Sequence, residues 1–154
     1  MTGAPLDQPY SGRFVGSEHR FMVRVYYEDT DAGGVVYHAT FLRYFERART
    51  DMLSLCGIDI AAAQHAGEGI YVVAAADLKY VRPARLGDAL TIVSSLTQVR
   101  QAACVIQQRV MRDDQLVVEG LVTVAFVGAD GRPRRQPKAW VEAFQGFNGA
   151  EQAQ

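Results

Sequence analysis

The order of apolar segments along the 154 residues predicts an α+β fold, a five-stranded antiparallel sheet wrapped around one long helix. Three observations predict it. A single segment, from about Ala39 to Cys56, repeats its apolar residues at helical spacing. Five other segments are β-branched and aromatic, or alternate with a period of two. Four of those five follow the helix in succession, joined by short turns, which suits antiparallel rather than crossover pairing.

Taken in order, residues 1–18 carry Gly3, Pro5, Pro9, Gly12 and Gly16 without periodicity and read as a flexible arm. A single domain is expected over residues 19–147. The run Phe21-Met22-Val23-Arg24-Val25-Tyr26-Tyr27 makes a first strand from Arg20 to Glu28. Glu28-Asp29-Thr30-Asp31-Ala32-Gly33-Gly34 then supplies turn chemistry. In the long helix Phe41, Phe45, Ala48, Met52 and Leu55 form the buried stripe, and Leu42 and Leu53 widen it. Arg43, Glu46, Arg47, Arg49 and Asp51 lie largely off it, and Gly57 closes the helix. A weaker helical turn spans Ile60 to Ala66. Strands are expected at Ile70–Arg82, Asp88–Val99, Ala103–Arg112 and Leu116–Val127. Pro137 can open a last short helix running to Phe144, and 148–154 should fray.

A formal net charge of -1 gives no global reason to expect nucleic-acid or membrane-surface binding. Any anionic ligand must meet a local basic patch. The two cysteines, Cys56 and Cys104, sit in apolar stretches and read as reduced core residues. No basic-then-apolar leader or apolar window of membrane length is seen, so a cytoplasmic protein is expected. No metal site and no separate cofactor is expected. His19 and His65 lack metal-ligand spacing and read as surface residues. Glu46 and Arg49, three apart on the helix, read as a surface or interface pair.

Chemistry concentrates between the first strand and the long helix. Glu28, Asp29 and Asp31 fall within four positions. Gly33 and Gly34 let backbone approach a ligand closely. The helix then begins near His38-Ala39, where amide N–H groups lack intrahelical partners and favour a polarised oxygen. A carboxylate beside such a helix start suits acyl transfer. The same residue types also make ordinary caps and turns.

The stretch Val23-Arg24-Val25-Tyr26-Tyr27-Glu28-Asp29-Thr30-Asp31-Ala32-Gly33-Gly34-Val35-Val36-Tyr37-His38-Ala39-Thr40-Phe41-Leu42, continuing through Phe45-Glu46-Arg47-Ala48-Arg49-Thr50, resembles the acyl-CoA thioesterases of the 4-hydroxybenzoyl-CoA thioesterase family, and within it the Tol–Pal-associated branch. Val81-Arg82-Pro83-Ala84-Arg85-Leu86-Gly87-Asp88 resembles the same branch. The likeness runs from Arg20 to about Val127. It implies the hot-dog fold, Asp31 as the catalytic carboxylate, and the N–H near His38 as the donor to the thioester carbonyl. The side chains of His38 and Tyr27 match residues implicated in this branch. His38 can equally be a cap, and Tyr27 a core aromatic with a bonded hydroxyl. Gly33, Gly34, Val36 and Tyr37 are the loop's candidate substrate contacts. Lys79, Arg82, Arg85 and Arg100 are the candidate cations for coenzyme A phosphates, with Arg132, Arg134 and Arg135 as a second cluster.

The expected reaction is hydrolysis of acyl-coenzyme A, with Asp31 as general base or as nucleophile. Coenzyme A is then part of the substrate, and an acyl carrier protein is an alternative donor. The resemblance also implies a homodimer or homotetramer with sites at the dimer interface. Two rivals are a hydratase or dehydratase of the same fold, whose motifs are not seen, and a non-catalytic acyl-carrier-binding or scaffold protein of the Tol–Pal envelope system. No Gly-x-Ser-x-Gly motif suggests a serine hydrolase.

Overall fold

The computed structural model describes residues 6–152. The elements are β1 (Arg13–Val15), β2 (Glu18–Arg24), a one-turn 3-10 helix (Tyr27–Asp29), α1 (Thr40–Leu55), α2 (Ile60–His65), β3 (Ile70–Tyr80), β4 (Ala89–Val99), β5 (Ala103–Arg112), β6 (Gln115–Val127) and α3 (Lys138–Gln152). The strands form one antiparallel sheet in the order β1-β2-β4-β5-β6-β3. The α+β hot-dog arrangement expected from the sequence is present, with α1 lying across one face.

The sheet has six strands where five were expected. The additional strand, β1, lies inside the segment read as a flexible arm. A hairpin turn with Gly16 at φ +60° folds it onto β2. Gly12, just before it, sits where a Cβ would be 2.3 Å from the Arg20 carbonyl, so only a bare backbone fits. Residues 1–5 of the expected arm lie outside the described residues. At the other end α3 continues to Gln152, past the Phe144 boundary expected for it and into the segment expected to fray; residues 153–154 lie outside the described residues.

The inward face of the sheet follows the period-two register. Val118, Gly120, Val122, Val124 and Phe126 of β6 alternate inward and are buried. Against them α1 presents Phe41, Tyr44, Phe45, Ala48 and Met52, each at most 3% exposed. Full burial of each large apolar side chain contributes about 1.5–3 kcal/mol. Gly120 lets the helix approach, because a Cβ there would stand 2.9 Å from the Phe45 ring. Beyond α1, Gly57 at φ +79° ends the helix, and the Ile58 N–H bonds back to the Leu53 carbonyl.

His19 corrects a second expectation. Phe21 and Val23 face α1, and alternation puts His19 on the same side. It is fully buried rather than on the surface, with Nε2 2.6 Å from Asp51 Oδ2. The same Asp51 oxygen accepts the Gly12 N–H at 3.0 Å, tying arm, sheet and helix together. Of the cysteines, Cys104 is buried as expected, whereas Cys56 is only half-buried. No helix among the described residues is long and apolar enough to cross a membrane.

Candidate active site

β2 ends at Arg24, four residues before the expected Glu28. The cause is Asp29. Its Oδ2 accepts the Tyr26 N–H at 2.8 Å and winds Tyr27–Asp29 into a 3-10 turn. Tyr27 therefore leaves the sheet and stands 83% exposed, not in the core as its sequence context suggested. The chain then doubles back. Thr30 and Val36 form an antiparallel bridge, Asp31 N donates to Val35 O at 2.9 Å, and Tyr37 N donates to Asp29 O at 2.9 Å.

Inside this loop Asp31 Oδ1 accepts the N–H of Gly33 at 2.8 Å and of Val35 at 3.4 Å. Its second oxygen has no hydrogen-bond partner among the described residues, and the side chain is exposed. Gly33 has a reason to be glycine, since its Cβ would approach Asp31 Oδ1 at 3.2 Å. Gly34 has another, its φ of +80°. Val36 is buried and donates its N–H to Ala84 O at 2.8 Å, which anchors the loop in the core.

The helix start follows directly. Thr40 N bonds to Tyr37 O at 2.8 Å, and the Thr40 hydroxyl leans toward Asp29 O at 3.5 Å. Among the described residues no acceptor takes the His38 N–H, while the His38 carbonyl accepts the Tyr80 hydroxyl at 3.0 Å. The exposed His38 ring lies 4.4 Å from that of Tyr37 and 6.4 Å, edge-on, from that of Tyr80.

The two segments that carried the family resemblance meet here. Val35 bridges Arg85, and Asp88 O accepts the Val25 N–H at 2.9 Å. Arg112, which sequence reasoning missed, clamps this second loop: it donates to Pro83 O and to Asp88 Oδ2, both at 3.0 Å. Tyr44 was missed as well. Its fully buried hydroxyl lies near Asp29 without a hydrogen bond of normal geometry. Burial first, then the Asp29 carboxylate, raise it above the ordinary phenol range. A helical tyrosine on the apolar stripe gives no signal that its hydroxyl underlies a loop.

The four candidate cations do not converge within one chain. Arg85 flanks the Asp31 loop and is exposed. Arg82 is nearby but spends one guanidinium nitrogen on Leu116 O at 2.6 Å. Lys79 is in register with Glu119 on the sheet face away from α1. Arg100 follows the far end of β4, roughly 35 Å of strand from Asp88, and its guanidinium binds Gln98. In the second cluster, Arg134 is held by Gly67 O at 2.9 Å.

A hot-dog sheet with an acidic loop against the start of its long helix defines a thioesterase-like domain, and the chain belongs to the thioesterase-like superfamily, whose family model matches residues 25–146. Among curated proteins it is similar to the acyl-CoA thioester hydrolase YbgC of Escherichia coli O6:H1. The two are 41% identical over 128 residues, covering 82% of this chain and 95% of that protein. Among solved structures, a probable thioesterase from Bartonella henselae is 32% identical with a TM-score of 0.74, covering 78% of this chain and 99% of that one. The 4-hydroxybenzoyl-CoA thioesterase of Pseudomonas sp. strain CBS-3 shares the fold at 20% identity and a TM-score of 0.76, covering 82% of this chain and 99% of that one. The family resemblance read from the two loop segments is thereby upheld.

Proposed function

We propose that this protein hydrolyses acyl-coenzyme A thioesters, with Asp31 as the reacting carboxylate and the His38 N–H as the oxyanion donor. One observation carries the reading. A carboxylate fixed through one oxygen shares a short laced loop with the His38 amide, and among the described residues neither the carboxylate's second oxygen nor that amide has a hydrogen-bond partner. Attack on a thioester carbonyl builds charge on its oxygen, and an oriented N–H at a helix start stabilises that charge by about 3 kcal/mol in comparable sites. Thiolate is a good leaving group, so no strong general acid is required. Asp31 acts either on water or directly on the carbonyl carbon. The similarity to the E. coli hydrolase supports the choice of an acyl-CoA donor.

The active unit in this reading is a homodimer. β3 is a free sheet edge whose middle, from Val72 to Asp77, is exposed. Antiparallel pairing of two β3 strands would set the Ile70 end of one copy beside the Tyr80 end of the other. The Arg100 end of a second sheet then approaches the first copy's Asp31 loop, giving Arg85 a cationic companion from across the interface. The test is thiol release from short, long and aromatic acyl-CoAs by wild type and Asp31→Asn in parallel. Turnover lost in the variant is expected. No turnover of any donor by the wild type returns the protein to the acyl-carrier-binding or scaffold reading.

A further inference from the structure

The Asp31 loop rests on the connection between β3 and β4. Thr30 bridges Val36, and Val35 bridges Arg85, so three short segments of chain lie side by side, with Asp31 beginning the outer one and Arg85 in the inner one. The Val36 N–H donates to Ala84 O at 2.8 Å, and the Val35 N–H is one of the two that hold Asp31 Oδ1. The height of the Ala84-Arg85 segment therefore sets where the Asp31 carboxylate stands relative to the start of α1.

That connection is tied at both ends. The Val81 and Arg82 N–H groups donate to Val117 O at 2.8 and 3.0 Å, and Gly87 and Asp88 exchange hydrogen bonds with Val25 at 3.0 and 2.9 Å. Between the ties, two side chains hold the turn. Arg112 Nη1 donates to Pro83 O and to Asp88 Oδ2, both at 3.0 Å, and the same Asp88 oxygen accepts the Arg85 N–H at 2.9 Å. One nitrogen and one oxygen thus clasp the two ends of the turn together. Arg112 Nη2 donates to Gln115 Oε1 at 3.3 Å, which steadies the plane of the guanidinium. Asp113 and Asp114 follow Arg112 directly in the chain, yet its ion pair is with Asp88, 24 residues away. Both partners stay partly in water, 28% and 26% exposed. A pair so open adds little to global stability. What it supplies is geometry, since the donors of a guanidinium form a rigid fork.

We infer that Arg112 and Asp88 are a positioning pair for the thioester reaction, holding the turn at Ala84-Arg85 at the height that sets Asp31 against the bound carbonyl. Neither needs to touch the substrate. A displacement of about 1 Å at a reacting group costs on the order of 100-fold in rate. A clasp of small worth in folding can therefore govern turnover. This inference rests on the thioesterase reading and adds to it the residues that keep its carboxylate in place.

The experiment measures kcat and KM on the best donor of the acyl-CoA panel for wild type, Arg112→Met, Arg112→Lys, and Arg112→Met combined with Asp31→Asn. Met keeps the apolar stem and removes every donor. In Arg112→Met kcat should fall about 10- to 100-fold while KM stays within about twofold. Lys can still donate to both Pro83 O and Asp88 and should restore most of the loss. On top of Asp31→Asn, Arg112→Met should change the residual kcat by less than about twofold, because the clasp acts through the carboxylate already removed. An equal fold loss in both backgrounds overturns the inference. So does a rise in KM with kcat kept, or an unchanged kcat in folded Arg112→Met. Should Arg112→Met fail to fold, Asp88→Asn carries the test. It keeps an acceptor for the Arg85 N–H, loses the ion pair, and should lower kcat several-fold at constant KM; an unchanged kcat there overturns the inference too. Each of these failures leaves wild-type hydrolysis, and with it the thioesterase reading, in place. A wild type that hydrolyses no acyl-CoA strikes the thioesterase reading itself, and the positioning role with it.

Discussion

Asp31 and Asp29 are two residues apart and do different work. Asp29 closes a turn through its carboxylate, whereas Asp31 keeps one oxygen open. Asp31→Asn retains a side-chain oxygen for the Gly33 amide but removes the carboxylate proposed to react. It should lower kcat by about 100-fold or more with an unchanged far-UV circular dichroism spectrum. An Asn variant of near-native rate would remove Asp31 from the chemistry. His38→Ala should cost much less, because the backbone N–H survives; a steady-state comparison of the two variants checks the order. A pH effect belongs at this scale too. Burial raises the Cys104 thiol from 9.0 to about 11, partly opposed by its hydrogen bond to Gln136. The folded chain then holds a proton that the unfolded chain has already released. The stability tied to that proton is complete below about pH 9 and is lost as pH rises through about 11. The urea midpoint should therefore fall across that interval, and less steeply in Cys104→Ala. At pH 8 the folded protein should resist thiol reagents at Cys104, since neither thiolate nor access is available.

Between elements, α1 meets β6 through a single side chain with little slack. A Cβ built at Gly120 would stand 2.9 Å from the Phe45 ring and 3.2 Å from the Asp77 carbonyl. Gly120→Val must push α1 away or twist Phe45 off its rotamer, costing about 1–3 kcal/mol in chemical denaturation. A variant as stable as wild type would show that the helix has slack there. The pairing of elements also explains what was legible in the sequence. Period-two alternation places β4, β5 and β6 within a few residues, and the three-four stripe places α1 within one residue at each end. The end of β2 was not legible, because aromatic residues continue through Tyr27 and only the Asp29 side chain stops the strand. Nor was β1. Three residues carry no periodicity, and what fixes them is distant: Gly12 against Arg20, and Asp51 reaching from the helix.

For the molecule as a whole, β1 covers one side of the sheet and β3 remains an open edge. Val72→Lys with Ala75→Lys should keep the protomer folded but weaken association and activity together, as read by sedimentation and thioester turnover. Full activity in a variant that no longer assembles would show that the site does not depend on the partner. The two loop segments were legible as a candidate site because both carry turn residues of unusual density, and the family resemblance pointed to the same positions. By itself the sequence determined the α+β class, the long helix, and the loop on which Asp31 and His38 sit, since local spacing and turn chemistry depend on near neighbours. Only the tertiary structure decided that His19 is buried, that Tyr27 is not, that Arg100 stands a sheet's length from Arg85, and that Arg112 pairs with Asp88. Those outcomes depend on which strands become neighbours, and contacts between residues far apart in the chain leave no period in the sequence for any one segment to show.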